Sequence, residues 1–178
     1  MKPWKIKKTE TVIQDEWISL EAHSCETSHG LVIEPYYIHN PRDWVVIIAQ
    51  TTKGEFIIEK QYRHGIQKFC LEFPAGNLEE GEDPLDCAQR ELIEETGFYG
   101  GEWTYLSKFA VNSANHSNYA HFYLAKNVQA GPAMQADEQE ELEVLTWNKA
   151  TLVEKIQQGE FINPHHLAGW LRFTLKEF

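Results

Sequence analysis

The sequence predicts an α+β chain in which a sheet is layered against helices. Three observations point there. Strand-like segments follow one another, are interrupted by one internal helix, and are closed by helices at the C-terminal end. Residues 44–50, Trp-Val-Val-Ile-Ile-Ala-Gln, form a continuous β-rich run, the pattern of a buried strand. Hydrophobic residues make up 42% of the 178, enough for one sizeable core.

The elements can be justified in order. Residues 7–13, 17–22 and 31–39 read as strands, with Ser28-His29-Gly30 turning the chain between the last two. Asn40-Pro41-Arg42 breaks the run. A small N-terminal β appendage over 1–41 is therefore expected ahead of a main domain over 42–178. A three-stranded piece of this size is barely stable alone, so it must pack on the body of the protein or on a second subunit. The start, residues 1–16, has no apolar run and does not read as a signal peptide.

The main domain begins with the 44–50 strand, turns at Thr51-Thr-Lys-Gly54 and returns over 56–62. Strands are expected at 69–73, 103–110 and 119–125. A polar, acidic loop over 129–143 gives way to a strand at 142–147. Residues 149–158 read as a helix closed by Gly159, and Asn163-Pro164 opens a final helix reaching Lys176. Most of the six Trp residues are expected in the core.

The internal helix lies over 83–97. Asp83 is placed to cap it, Pro84 occupies the first helical position, and Gly97 stands where helices stop. Leu85, Ala88 and Leu92 recur at helical spacing and face a core. Glu91, Glu94 and Glu95 crowd the last turns. That placement opposes the macrodipole. The Glu91–Glu95 pair adds roughly 0.2–0.5 kcal/mol of repulsion. Acidic helix faces are ordinarily solvated surface; the alternative is a hard divalent cation, which would reverse both penalties.

Composition excludes several classes. The net charge of −11, from 27 acidic and 16 basic residues, argues against a nucleic-acid partner. Residues 44–49 are far short of the roughly 20 apolar residues a membrane span needs. Cys25, Cys70 and Cys87 share no metal spacing and read as reduced, buried thiols of a cytoplasmic protein. The eight His residues show no zinc pattern, and His165-His166 is expected at the surface.

Gly76, five residues, Glu82, seven residues, then Arg90-Glu-Leu-Ile-Glu-Glu-Thr-Gly-Phe98 resembles the Nudix box, G-x5-E-x7-R-E-U-x-E-E-x-G-U, with every fixed position filled. The resemblance implies the Nudix fold, an α/β/α sandwich with a mixed sheet between helices, and magnesium or manganese held for hydrolysis of a nucleoside diphosphate linked to another group. Gln61-Tyr62-Arg63 and Glu72-Phe73-Pro74-Ala75-Gly76 are similar to segments of the ADP-ribose and nucleotide-sugar pyrophosphatases. So is the N-terminal appendage, which in that subfamily exchanges across a homodimer and helps build the nucleoside pocket.

Carried over residue by residue, the likeness makes Glu91, Glu95 and the carbonyl of Ala75 metal ligands, with Glu140 as an auxiliary ligand. Glu138, in the acidic segment Asp137-Glu138-Gln139-Glu140, becomes the candidate base, with Glu94 of the box beside it in the catalytic set. Arg90 orients the carboxylates and keeps them ionised. Glu82 could be a ligand, an orienter of Arg90, or surface. Arg63 and Arg42 are candidates for phosphate contact. Trp17, or the Tyr36/Tyr37 pair, is a candidate stacking platform for a nucleobase. The segment 112–118 departs from the loop many ADP-ribose pyrophosphatases carry and leaves the exact sugar open. GDP-mannose, a dinucleoside polyphosphate, and a sensor that binds nucleotide sugars without cleaving them are the alternatives.

Overall fold

A computed structural model of the protein describes residues 2–131 and 141–176. Glu138 and Glu140 lie outside the described residues. The chain packs as two compact units, one of Met1–Arg42 with Ala110–Tyr119, the other of Asp43–Phe109 with Ala120–Phe178.

In the first unit, β1 (Lys5–Gln14), β2 (Ser19–Glu26) and β3 (Val32–His39) form an antiparallel sheet in that order. All ten residues of β1 are exposed. Cys25 is buried and Ser24 Oγ donates to Glu34 at 2.7 Å. The 110–119 segment joins this sheet: His39 N–H donates to the Asn115 carbonyl at 2.8 Å, and Ser117 N–H to the His39 carbonyl at 3.1 Å. Strand β2 starts two residues later than expected. Asp15 Oδ1 accepts from the N–H groups of Trp17 and Ile18 at 2.7 and 2.8 Å. That side-chain turn holds Trp17 out of the ladder.

The second unit is built on β4 (Trp44–Thr51), whose neighbours are β5 (Phe56–Arg63) and β10 (Tyr119–Ala130). The path runs β11 (Leu142–Trp147), β5, β4, β10, β8 (Phe98–Tyr99). Three strands pair off it: β6 (Lys68–Glu72) on β5, β7 (Ala75–Asn77) on β4, and β9 (Glu102–Ala110) on β10. The β4–β10 pair is parallel, and the β10–β8, β11–β5, β4–β5, β4–β7 and β5–β6 pairs are antiparallel, giving the expected mixed sheet.

Alternation along β4 sends its side chains to two cores. Val45, Ile47 and Ala49 pack with Cys87, Ala88 and Leu92 of α1 (Pro84–Thr96). On the other side Ile48 and Phe122 approach Gly169 of α3 (Pro164–Lys176), and Phe56 meets Trp170 and Phe173 edge-on at 5.3 and 5.5 Å. The remaining helix, α2 (Lys149–Gln157), is capped by Asn148 and buries Leu152. This is the helix–sheet–helix sandwich the box implied.

The short strands β7 and β8 and the far end of β10 were not legible. Gln129 and Ala130, read as loop, pair with Tyr99 and Phe98. Two- and three-residue strands show no periodicity to detect. The Trp expectation also needs correction: Trp170 is buried, Trp44, Trp103 and Trp147 are partly covered, and Trp4 and Trp17 are exposed.

Gly169 tests the α3 face. A Cβ there would lie 2.9 Å from the fully buried Phe122 ring. Overpacking costs about 1–3 kcal/mol, against about 1 kcal/mol gained in helix propensity. Gly169→Ala should therefore lower the unfolding free energy read from a urea titration by about 1 kcal/mol net, and a raised value would show that α3 does not press on the sheet there.

Candidate active site

Helix α1 forms where the sequence placed it. Asp83 caps it, accepting from Leu85 N–H at 2.8 Å, and Gly97 ends it in the left-handed region at φ 70°, donating to the Ile93 carbonyl. Ala88 and Leu92 are fully buried, so the register of the helix on β4 is fixed. That register divides the three carboxylates. Glu95 is 6% exposed and turns to β7, where Oε2 accepts from Ala75 N–H at 3.0 Å. Glu91 is also turned inward, with its carboxylate lying where a side chain of Gly76 would be: a Cβ there would sit 1.9 Å from Glu91 Cδ. Glu94 faces solvent.

Arg90 ties these groups together. Nε and Nη2 donate to the two oxygens of Glu82, each at 2.9 Å. Nη1 donates to Glu91 Oε1 at 2.9 Å and Glu94 Oε2 at 3.0 Å, and Nη2 also reaches the Asn77 carbonyl at 3.2 Å. A guanidinium has five N–H groups, and each has an oxygen acceptor here. Arg90 is therefore an orienter, with no donor left over for substrate. The three readings of Glu82 reduce to one: it clamps Arg90 and also accepts from Glu79 N–H at 2.8 Å. The hydrogen bonds from Arg90, working against burial, hold the Glu82 carboxyl down from 4.5 to about 2.

The preceding segment is fixed as firmly. Arg63, at the end of β5, donates through Nε to Glu72 Oε2 at 3.1 Å, and Glu72 is buried. Arg63 also feels the charge of Glu95. Ile47 N–H holds the Pro74 carbonyl at 2.8 Å. Ala75, Glu91, Glu95, Arg90 and Glu94 thus come together, with Arg63 adjoining through Glu72. Arg42 and Trp17 belong to the other unit, both exposed; Asn118 donates to the Arg42 carbonyl at 2.7 Å.

Two residues escaped sequence reasoning. Glu72 was quoted only as part of a resemblance, yet it is the buried partner of Arg63. His166, expected at the surface, is fully buried. The signal was present: His166, Trp170 and Phe173 lie at spacings of four and three, the buried stripe of α3.

Three carboxylates share one guanidinium, leaving two formal negative charges, and Glu95 adds a third. This excess suits a divalent cation. Among the described residues no three His, Cys, Asp or Glu side chains converge into a protein-only metal cage. The donor set instead fits magnesium chemistry, which takes one or two carboxylates and completes its shell with waters and substrate phosphates. Glu91 and Glu95, both set against the Ala75–Gly76 backbone, supply that much, and the missing Cβ of Gly76 makes the room.

A NUDIX domain model matches residues 39–165. The chain belongs to the Nudix family and is a Nudix hydrolase, a class that uses divalent ions. It is 33% identical to the "Methanol dehydrogenase activator" of Bacillus methanolicus over 70% of this chain and 66% of that protein. It is 30% identical to an "ADP-ribose pyrophosphatase" of Bacillus subtilis (strain 168) over 76% of this chain and 74% of that protein. The fold matches a solved structure titled "Crystal structure of ADP compounds hydrolase" with a TM-score of 0.86 at 24% identity, covering 99% of this chain and 94% of that one.

The Glu82–Arg90 clamp makes a pH-dependent prediction. A carboxyl whose folded-state pKa is depressed contributes fully above its unfolded value and loses that contribution as pH falls through the folded one. Glu82→Gln should cost about 1–2 kcal/mol at neutral pH. Its urea midpoint should then converge on the wild-type value between pH 4.5 and about 2.

Proposed function

We propose that this Nudix hydrolase splits the diphosphate of a nucleoside diphosphate sugar, ADP-ribose first, releasing a nucleoside monophosphate and a sugar phosphate. The observation that carries the reading is the pair Glu91 and Glu95 set against the Ala75–Gly76 backbone at the acidic end of α1. The similarity to an ADP-ribose pyrophosphatase supports the choice of substrate.

Glu91, Glu95 and the Ala75 carbonyl would hold Mg²⁺, or Mn²⁺ in its place, with Glu140 as an auxiliary ligand. When bound, the ion withdraws charge from the phosphoryl oxygens and eases deprotonation of water. The chain supplies the rest. Arg90 holds Glu91 in place through Nη1 at 2.9 Å. Arg63, half-exposed at the end of β5, presents a guanidinium to phosphate, and Arg42 is a second candidate. Glu138 takes the proton of the attacking water, with Glu94 as the alternative within the box. Water adds to one phosphorus, the bridging P–O bond breaks, and the leaving phosphate departs in line.

Glu95→Gln tests the metal reading. The amide oxygen can still accept from Ala75 N–H, so the fold should persist while a ligand charge is lost. Metal stabilisation of several kcal/mol implies a fall in turnover of at least about 100-fold. Unchanged formation of AMP from ADP-ribose would refute it. A panel including GDP-mannose and a dinucleoside polyphosphate fixes the substrate.

The N-terminal sheet supports a homodimer, and the free, buried thiols of Cys25, Cys70 and Cys87 support a cytoplasmic setting. Ile6, Val12, Ile13, Leu31 and Val32 are all exposed there, more apolar surface than a lone three-stranded sheet tolerates. Trp17, 86% exposed, is available to stack the base. Sedimentation should show a dimer for the wild type and a monomer for an Ile6→Glu, Val12→Glu double variant.

A further inference from the structure

His166 is the one fully buried imidazole among the described residues of the unit that carries the box. It enters from α3, on the sheet face opposite α1. Nδ1 accepts the Phe73 N–H at 3.0 Å. That bond requires an unprotonated Nδ1, and burial pushes the imidazole down to about 4, keeping it neutral. The remaining proton is then on Nε2, which has no hydrogen-bond partner among the described residues and lies 3.8 Å from Glu72 Oε2. The ring is fixed on its faces as well: it stacks on Phe73 at 6.3 Å and tilts against Trp44 at 6.1 Å.

The Phe73 N–H is no arbitrary partner. Four consecutive residues are each gripped by a different element. Glu72 is held by Arg63 of β5, the Phe73 N–H by His166 of α3, the Pro74 carbonyl by Ile47 of β4, and the Ala75 N–H by Glu95 of α1. Pro74 has no N–H of its own. The Phe73 N–H is therefore the last backbone donor before Ala75, whose carbonyl is the candidate ligand. A Leu at 166 would fill the space without accepting that bond and would leave a buried donor unsatisfied. A histidine that leaves its own Nε2–H unpaired is an expensive way to fill a core; the acceptor at Nδ1 is what it contributes.

We propose that His166 is a positioning residue of the hydrolase site, holding the Phe73–Ala75 backbone in place for metal from the far side of the sheet. The inference rests on the metal reading above. His166 touches neither metal nor substrate; it acts through the peptide chain, as outer-shell partners of metal ligands do.

Three substitutions separate an acceptor at Nδ1 from bulk and from polarity. His166→Leu removes the acceptor. His166→Asn places an amide oxygen near the Nδ1 position. His166→Gln carries its oxygen out toward Nε2. Mn²⁺ alone is titrated into each full-length protein by electron paramagnetic resonance, and exchange of the Phe73 amide is followed by NMR. His166→Leu and His166→Gln should weaken Mn²⁺ binding by about 10-fold or more and speed exchange at Phe73, while His166→Asn should stay near wild type on both readouts. Should His166→Leu not fold, the Asn–Gln contrast alone decides. Equal Mn²⁺ binding by the Asn and Gln variants overturns the proposal. A Glu95→Gln control distinguishes the two levels: if it binds Mn²⁺ like the wild type, the metal reading has failed. If it loses binding while His166→Gln does not, only the positioning role has failed.

Discussion

The Arg90 guanidinium, with all five N–H groups placed on oxygens, is the interaction on which the rest of the site depends. Glu82 takes two of those bonds, Glu91 and Glu94 one each, and the Asn77 carbonyl the fifth. Without it, carboxylates crowded against the negative end of a helix dipole would repel one another and turn toward water. With it, Glu91 is pinned over Gly76 and Glu94 is drawn away to solvent. The clamp also reaches back to the end of β7, so the loop before α1 and the helix itself move as one piece. A fixed cation gives this corner of the protein its shape, while the charge it leaves uncompensated suits a divalent ion.

Strand β4 supplies the second constraint. Because it is covered on both faces, α1 and α3 are each referenced to the same eight residues, Trp44–Thr51. The segment Glu72–Ala75 runs beside that strand and takes contacts from both layers: Glu95 from one side, His166 from the other. Half-exposed Arg63 is the solvent-facing member of this set, and its partner Glu72 is the buried one. That asymmetry leaves part of a guanidinium in contact with solvent while its anchor remains in place.

Much of this was legible in the residues. The caps at Asp83 and Gly97, the buried run of β4 and the apolar stripe Leu85–Ala88–Leu92 each announced themselves through local chemistry or period. The box placed Glu91, Glu95 and Arg90 in one neighbourhood, and the adjoining Glu72–Gly76 segment brought Ala75 beside them. What was hidden depended on tertiary pairing. Strands β7 and β8 are too short to have a period and exist because β4 and β10 offer them edges. The division of labour among Glu91, Glu94 and Glu95 follows from which helix face meets β7, and helical spacing alone shows only that the three are neighbours. His166 was misread because a His beside another His after an Asn-Pro cap suggests surface; its spacing to Trp170 and Phe173 carried more weight.

Cys87 lies on α1 three residues before Arg90, with no exposed surface, its Sγ 3.5 Å from the Asn77 carbonyl. Burial pushes its thiol pKa up, and the neighbouring carboxylates push the same way. Thiolate is the form that peroxide and electrophiles attack, and this sulfur is denied both ionisation and access. A sulfur packed beside the Arg90 clamp is thereby shielded from thiolate chemistry.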